Sequence, residues 1–493
     1  MGLRKKTSTM KYYDALGCVC LFSGASKTLL LGALLIAGCA PLSAHYPLVD
    51  QHLAAHDQVG ADAIIQKEEA RYGKNNRLLY LMDRGMTLSL SGRYKESNLM
   101  LDQAARVVDS LYTESLTKQG LSLLTSDNAL PYAGEDYEQV MIHLISALNY
   151  AQLSQMNEAL VECRRMDSLL NKINDQYQDK KNGYKEDAFA RYLSGILYEA
   201  EGSREGINNA FIAYRKAYDV YRDWEKTFGT PIPNMIEADL LRTSEALGMR
   251  EEHEEYKKRF PMTRWTKLSD QKSKGEIVIV SMNGKSPRKE DAFLNIIVND
   301  NIINTILSTA AWQPHVESGH FLLTTVGQVV RVAFPKYVPQ KTNVDHLLVS
   351  LAGVSSYHSQ SFLVEDMTKI AERNLSDRIG RISARAVGRA AMKAVAVRKA
   401  TKKADEQISG GGGLFLGKIA EAAVALTETS DKRSWRTLPD QIHLTRMVVP
   451  PGTYRVTGQF IGRQGRKTID TLSPSEVTLR AGEKRFLVTR SVH

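Results

Sequence analysis

The sequence predicts an α+β multidomain chain, with an N-terminal irregular helical-repeat domain followed by a β-sandwich-like domain that carries a helical insertion. Three observations lead there. Apolar residues recur at helical spacing, interleaved with small residues, from residue 58 to about 260. Near Lys272 the composition shifts to short β-branched runs punctuated by Asn-Gly and Pro-Gly. Within that second half, residues 365–427 carry no strand pattern and include the string Gly410 to Gly413.

The 493 residues are 43% hydrophobic and 24% charged, too apolar for a disordered chain and too mixed for a collagen or a polytopic membrane protein. Four cysteines, Cys18, Cys20, Cys39 and Cys163, lack the spacing of a disulfide framework or a zinc site. The net charge is +10, of which the first 38 residues hold +4, so the remainder is mildly basic.

Residues 1–38 read as a lipoprotein signal peptide and 39–57 as a short polar tether. Thr28 to Ala37 form an uncharged apolar run after Lys27. Ten residues rise only about 15 Å as a helix, half of a bilayer core, which suits a signal-peptide core and not a membrane span. The string Leu35-Ile36-Ala37-Gly38-Cys39 resembles a bacterial lipobox. It implies cleavage between Gly38 and Cys39 and acylation of the Cys39 thiol, whose buried CH₂ groups contribute about 0.8 kcal/mol each to membrane attachment. Ala40 follows instead of an Asp. By the sorting rule of such proteins, this favours the periplasmic face of the outer membrane. The n-region is long, so translation from Met10 is an alternative start.

In the helical domain, 58–260, three stretches look like tetratricopeptide helix pairs, whose repeat is about 34 residues. Leu81, Gly85 and Leu88 share one helix, and Tyr94, Ser97, Leu101 and Ala104 the next. Ala147 and Tyr150 precede Ala159, Cys163 and Met166. Gly195 and Tyr198 precede Ala210, Tyr214 and Ala217, with about three extra residues expected in the turn at Gly202 to Gly206. Small residues let antiparallel helices approach while Tyr and Leu fill the groove. Cys163 falls on a core-facing position, as a small hydrophobe.

In the β domain, 266–493, strand candidates are Glu276 to Met282, Phe293 to Val298, Gln328 to Phe334, Val344 to Leu351, His443 to Val449, Thr453 to Ile461, Arg466 to Leu472, Ser475 to Leu479 and Arg485 to Val492. Tyr454 to Phe460 alternates polar and apolar residues, as a half-buried antiparallel strand does. The helical insertion, 365–427, places Arg378, Arg381, Arg385, Arg389 and Lys393 on one stripe by spacings of three and four. One reading is contact with an anionic surface, either lipid or peptidoglycan. The other is a solvated face, or arginines paired with acids of the repeat domain. Nucleic acid is a poor partner for an exported chain.

Two motifs are set aside. Gly412-x₄-Gly417-Lys418 has Ile419 where a phosphate loop needs Ser or Thr. His52 and His56 sit at i and i+4 but lack a third metal ligand. No catalytic, cofactor or metal signature emerges.

Several strings resemble an uncharacterised family of bacterial tetratricopeptide-containing lipoproteins: Pro131 to Glu138, Ala147 to Tyr150, Val161 to Arg165, Asn283 to Glu290, Val332 to Pro335 and Arg433 to Pro439. The resemblance implies export, lipidation and a non-enzymatic role, and assigns no site residues. Local chemistry accounts for most of these strings. Trp435 is expected to anchor the insertion to the sandwich. Arg164 and Arg165 lack a local explanation and are expected to pair with Glu135 or Glu138. The function expected is a lipid-anchored envelope scaffold that binds a protein partner through its repeats. The alternative is a cell-wall or glycan-acting enzyme with its site between the two halves.

Overall fold

The computed structural model describes residues 42–117, 127–177, 184, 186–297, 329–380, 382–383, 385–388 and 429–493. The leader, with Gly38 and Cys39, lies outside them, as does most of the insertion.

Helices α1 (Tyr46–Ala54), α2 (Gln58–Lys67) and α3 (Glu69–Tyr72) open the body. The expected tether is therefore helical from Tyr46, because Tyr46, Val49 and Leu53 form an apolar stripe that is buried. Paired helices follow: α4 (Arg77–Leu90) with α5 (Tyr94–Thr117), α6 (Asp136–Gln152) with α7 (Met156–Tyr177), and α8 (Ala188–Glu201) with α9 (Arg204–Thr227). A further pair, α10 (Asn234–Leu247) with α11 (Arg250–Arg259), carries the pattern beyond the three stretches read from the sequence. A short α12 (Leu268–Gln271) leads into the β half.

The helix crossings follow the small-residue pattern. A Cβ on Gly85 would lie 2.5 Å from Leu101, and one on Gly195 would lie 2.4 Å from the Tyr214 ring. The third pair holds no longer turn than the others: only Gly202 and Ser203 separate its helices, and the extra residues form the first turn of α9. Gly202 ends α8 in the left-handed region, at φ 82°, where glycine costs least. Ser203 then caps α9 through the Gly206 N–H at 2.9 Å.

Two four-stranded sheets form a sandwich. One has the order β10-β1-β7-β6, from β1 (Gly275–Asn283), β6 (Phe362–Asp366), β7 (Gln441–Val449) and β10 (Lys484–Ser491). The other has the order β5-β4-β8-β9, from β4 (Val344–Ala352), β5 (Ser356–Gln360), β8 (Gly452–Gly462) and β9 (Thr468–Leu479). A separate ribbon pairs β2 (Arg288–Ile297) with β3 (Val329–Val338). Ile277, Ile279, Leu347, Val349, Val456 and Phe460 build the core between the sheets. Every residue of β1 is buried, because its other face lies against the helices. That explains its unbroken apolar run, where a strand with one wet face would alternate. β1 pairs parallel with β10, an exception among antiparallel neighbours.

β5 and β6 escaped the strand reading. β5 is the polar edge strand Ser-Tyr-His-Ser-Gln, and β6 runs straight into the insertion helix. The two strands expected at 466–472 and 475–479 are one strand, β9, with register shifts against β8. The insertion helix, α13, begins at 367 and is described to 388.

Candidate functional site

A groove of about 440 Å³ opens between α5 and α7, with α6 as its floor. Its size falls within the range of about 300–1,000 Å³ typical of ligand sites. Helical periodicity places its lining. Asp102, Arg106 and Asp109 follow one another at i, i+4 and i+7 on α5, while Val161, Arg164, Arg165, Ser168 and Lys172 share a face of α7. Ile142 and His143 of α6 form the floor. Helix α6 is held at its start by a reciprocal capping box between Glu135 and Glu138.

Most charges in the groove are spent locally. Arg106 pairs with Asp102. Arg165 reaches Glu162 at 2.9 Å and Asp102 at 3.5 Å, and His143 reaches the other Glu162 oxygen at 2.7 Å. Lys172 pairs with Asp109 at 3.1 Å and stands 3.8 Å over the Tyr112 ring. Arg164 differs: it is exposed and forms no ion pair with the described residues. Val161 beside it is 39% exposed. The groove thus offers an apolar surface beside a guanidinium that hydrogen-bonds Tyr198 but meets no carboxylate of the described residues, suited to a peptide segment that carries a carboxylate. Arg164 and Arg165 do not pair with Glu135 or Glu138 as expected, because those acids are consumed elsewhere.

That elsewhere is the junction of the two halves. Glu135 pairs with Lys289 of β2 and with Arg378 of α13. Glu138 accepts the Tyr132 hydroxyl at 2.6 Å and the Trp435 backbone N–H at 2.7 Å. Burial first, against Lys289 and the hydrogen bonds, pushes its carboxyl up to about 7. Tyr137 and Tyr337 meet at 3.1 Å, and Arg433 donates to the Leu130 carbonyl at 2.8 Å. Strings far apart in sequence, 131–138, 283–290 and 433–439, converge here. Trp435 is fully buried and fastens the chain after the insertion to α6 of the helical half, not the insertion to the sandwich.

Asp83 of α4 anchors the same segment. It accepts the hydroxyls of Tyr46 at 2.6 Å, Tyr72 at 2.9 Å and Thr437 at 2.9 Å. Burial outweighs these donors and raises Asp83 to about 6.

Beyond it lies a balanced buried network of Glu199, Asp239 and Glu276 with Arg242, Arg446 and Lys484. Burial alone would raise Glu276, but Arg446 and then Lys484 hold it down to about 2.

Of the cationic stripe, Arg378 is an internal ion-pair partner, donating also to the Asn374 carbonyl at 3.2 Å. Arg385 is exposed. Arg381, Arg389 and Lys393 lie outside the described residues, as do Gly412 to Lys418. His52 turns to Asp57 and His56 to Asp470, each at 2.8 Å, so the two do not converge. Among the described residues there is no cluster of metal-ligating side chains and no helix long and apolar enough to cross a membrane. Sequence reasoning missed the groove, although the unexplained Arg164-Arg165 pair marked it.

No protein-family model matches the chain, and no curated protein does. Among solved structures, it is similar to the Rap conjugation gene regulator of the plasmid pLS20 in complex with the Phr* peptide. Identity is 15%, over 52% of this chain and 59% of that one, with a TM-score of 0.26. The chain thus spans less than two thirds of that protein's length, and a likeness this loose carries no argument.

Proposed function

We propose that the protein is a lipid-anchored envelope scaffold that holds a protein partner in the α5–α6–α7 groove and catalyses no reaction of its own. The observation that carries the reading is the groove itself, where Arg164 has no ion-pair partner among the described residues and stands beside exposed Val161. A carboxylate of a partner segment would meet Arg164, and its apolar side chains would meet Val161, Leu169 and Ile142. The signal-peptide pattern ending at Gly38-Cys39 supports attachment through an acylated Cys39, on the periplasmic face of the outer membrane. Exposed Arg385 leaves room for contact between α13 and anionic lipid or peptidoglycan.

Two variants test the two parts separately. Cys39→Ser should release the protein from the membrane fraction and leave partner binding intact. Arg164→Glu combined with Val161→Glu should abolish partner cross-linking in cells while thermal unfolding stays unchanged. Undiminished cross-linking in the groove variant would remove the groove from the reading, and membrane retention of Cys39→Ser would remove the anchor.

A further inference from the structure

The β2–β3 ribbon exposes large apolar side chains far from the groove. Its register pairs Phe293 with Ala333, Asn295 with Arg331 and Ile297 with Val329. Side chains alternate along a strand, so Asp291, Phe293, Asn295 and Ile297 share one face. Phe293 is 43% exposed on that face and Ile297 62%. Arg331 lies over the Phe293 ring at 4.1 Å, as a diagonal neighbour on the same face does. A two-stranded ribbon is marginal in water unless something packs on its apolar side chains.

Asp291, at the root of that face, is where the chain returns from the insertion. Its carboxylate accepts the Ser430 N–H at 2.8 Å, the Ser430 hydroxyl at 2.7 Å and the Lys432 ammonium at 2.7 Å. Asn128 holds the same stretch from the helical half, donating to the Thr429 hydroxyl at 3.2 Å and the Ser430 carbonyl at 3.1 Å. Just before this anchor, Leu414 to Leu426 carries Leu414, Phe415, Leu416, Ile419, Val424 and Leu426 against two charges, Lys418 and Glu421. The four residues from Leu426 to Ser430 span at most about 14 Å when fully extended. Phe293 lies two residues along β2 from Asp291, a rise of about 7 Å, and so within that reach.

We propose that the Phe293–Ile297 face of the ribbon is a docking surface for Leu414–Leu426 of the same chain. The short leash selects this occupant. It holds an apolar segment beside an apolar face at an effective concentration in the millimolar range, which an external occupant has to exceed. Docking there fastens the end of the insertion as its start is fastened, where Arg378 and Lys289 both pair with Glu135.

The test uses the purified full chain with the photo-reactive residue p-benzoylphenylalanine at position 293, and at 294 as the control on the opposite face. Phosphatidylglycerol vesicles are present throughout. Irradiation from 293 should give an adduct to a peptide within 414–426, and irradiation from 294 should not. In a mixture of light and isotope-heavy chains, both halves of the adduct should carry the same label. Phe415→Asp combined with Ile419→Asp should remove the adduct and speed hydrogen exchange of β2 and β3 by about tenfold, with α6 unchanged. Should that variant misfold, the labels and the site of the adduct from 293 decide alone. Adducts of mixed label would make a second copy the occupant and overturn the proposal. An adduct to lipid or to another segment, no adduct from 293, or one indifferent to Phe415 and Ile419 would overturn it equally.

Discussion

Arg446 of β7 donates to Asp239 of α10 at 2.6 Å, across the boundary between the helical half and the sandwich, with both side chains at most 2% exposed. The same guanidinium reaches Glu276 at 2.5 Å and the Tyr192 hydroxyl at 3.0 Å. Three acids and three bases are packed there without water-facing partners. A balanced buried set contributes little net stability over apolar residues of the same shape, but an incomplete one is costly.

Arg446→Met should therefore lower the unfolding free energy by about 3–5 kcal/mol, because the three buried acids are left with only Arg242 and Lys484. Urea unfolding measures this. A loss below about 1 kcal/mol would mean that the network relaxes or admits water.

Asp83 predicts a pH dependence with a defined sign. Its folded-state value is raised by burial to about 6, so the folded chain binds a proton that the unfolded chain has already released. Stability is lost as pH rises from about 4 to about 6. Asp83→Asn removes the ionisable group and can keep its oxygen toward Tyr46 and Tyr72, at the cost, independent of pH, of setting its amide against the Thr437 donors. The variant should abolish that loss, gaining ~2–3 kcal/mol on the wild type between pH 4 and 7, measured by urea midpoints across the range. Parallel pH profiles of the two proteins would contradict the prediction.

Gly195→Ala should destabilise by about 1–3 kcal/mol. Its Cβ meets a Tyr214 ring that is fully buried and tethered through its hydroxyl to Glu199 at 2.7 Å. Gly380→Ala, with nothing within 4 Å, should be neutral or stabilising by up to about 1 kcal/mol from helix propensity. Thermal melts of the pair provide an internal comparison.

The Cys163 thiol should be inert in the folded state. Burial pushes it up to about 12, so the thiolate is scarce as well as inaccessible. A disulfide exchange reagent should react with it at the rate of unfolding; fast reaction in native buffer would contradict the packing of α7.

Much of this architecture was legible in the residues themselves. Gly85 with Leu101 and Gly195 with Tyr214 followed from spacing, because a helix crossing needs a missing side chain on one partner and a large one on the other. The alternation from Tyr454 to Phe460 appeared as buried and wet faces of β8. What sequence could not supply was long-range pairing. Arg378 belongs to a stripe read either as a contact surface or as arginines paired with acids of the repeat domain; the second reading holds for it, but its partner Glu135 lies 243 positions earlier and becomes a neighbour only when α13 packs on α6. Trp435, Glu138 and Lys289 likewise read as separate local features until the fold brought their strings together. The groove gave one sequence signal, Arg164-Arg165: Arg165 is explained by Glu162 one turn earlier, while Arg164 meets no acid of the described residues.

The most direct measurement is site-specific photo-cross-linking in living cells from position 161, repeated in an Arg164→Glu background, with position 354 as the exposed control on the sandwich. A defined protein adduct from position 161 that disappears with Arg164→Glu, and is absent from position 354, is the expected result. Equal adducts from both positions, or an adduct from 161 indifferent to Arg164, would contradict partner binding in the groove.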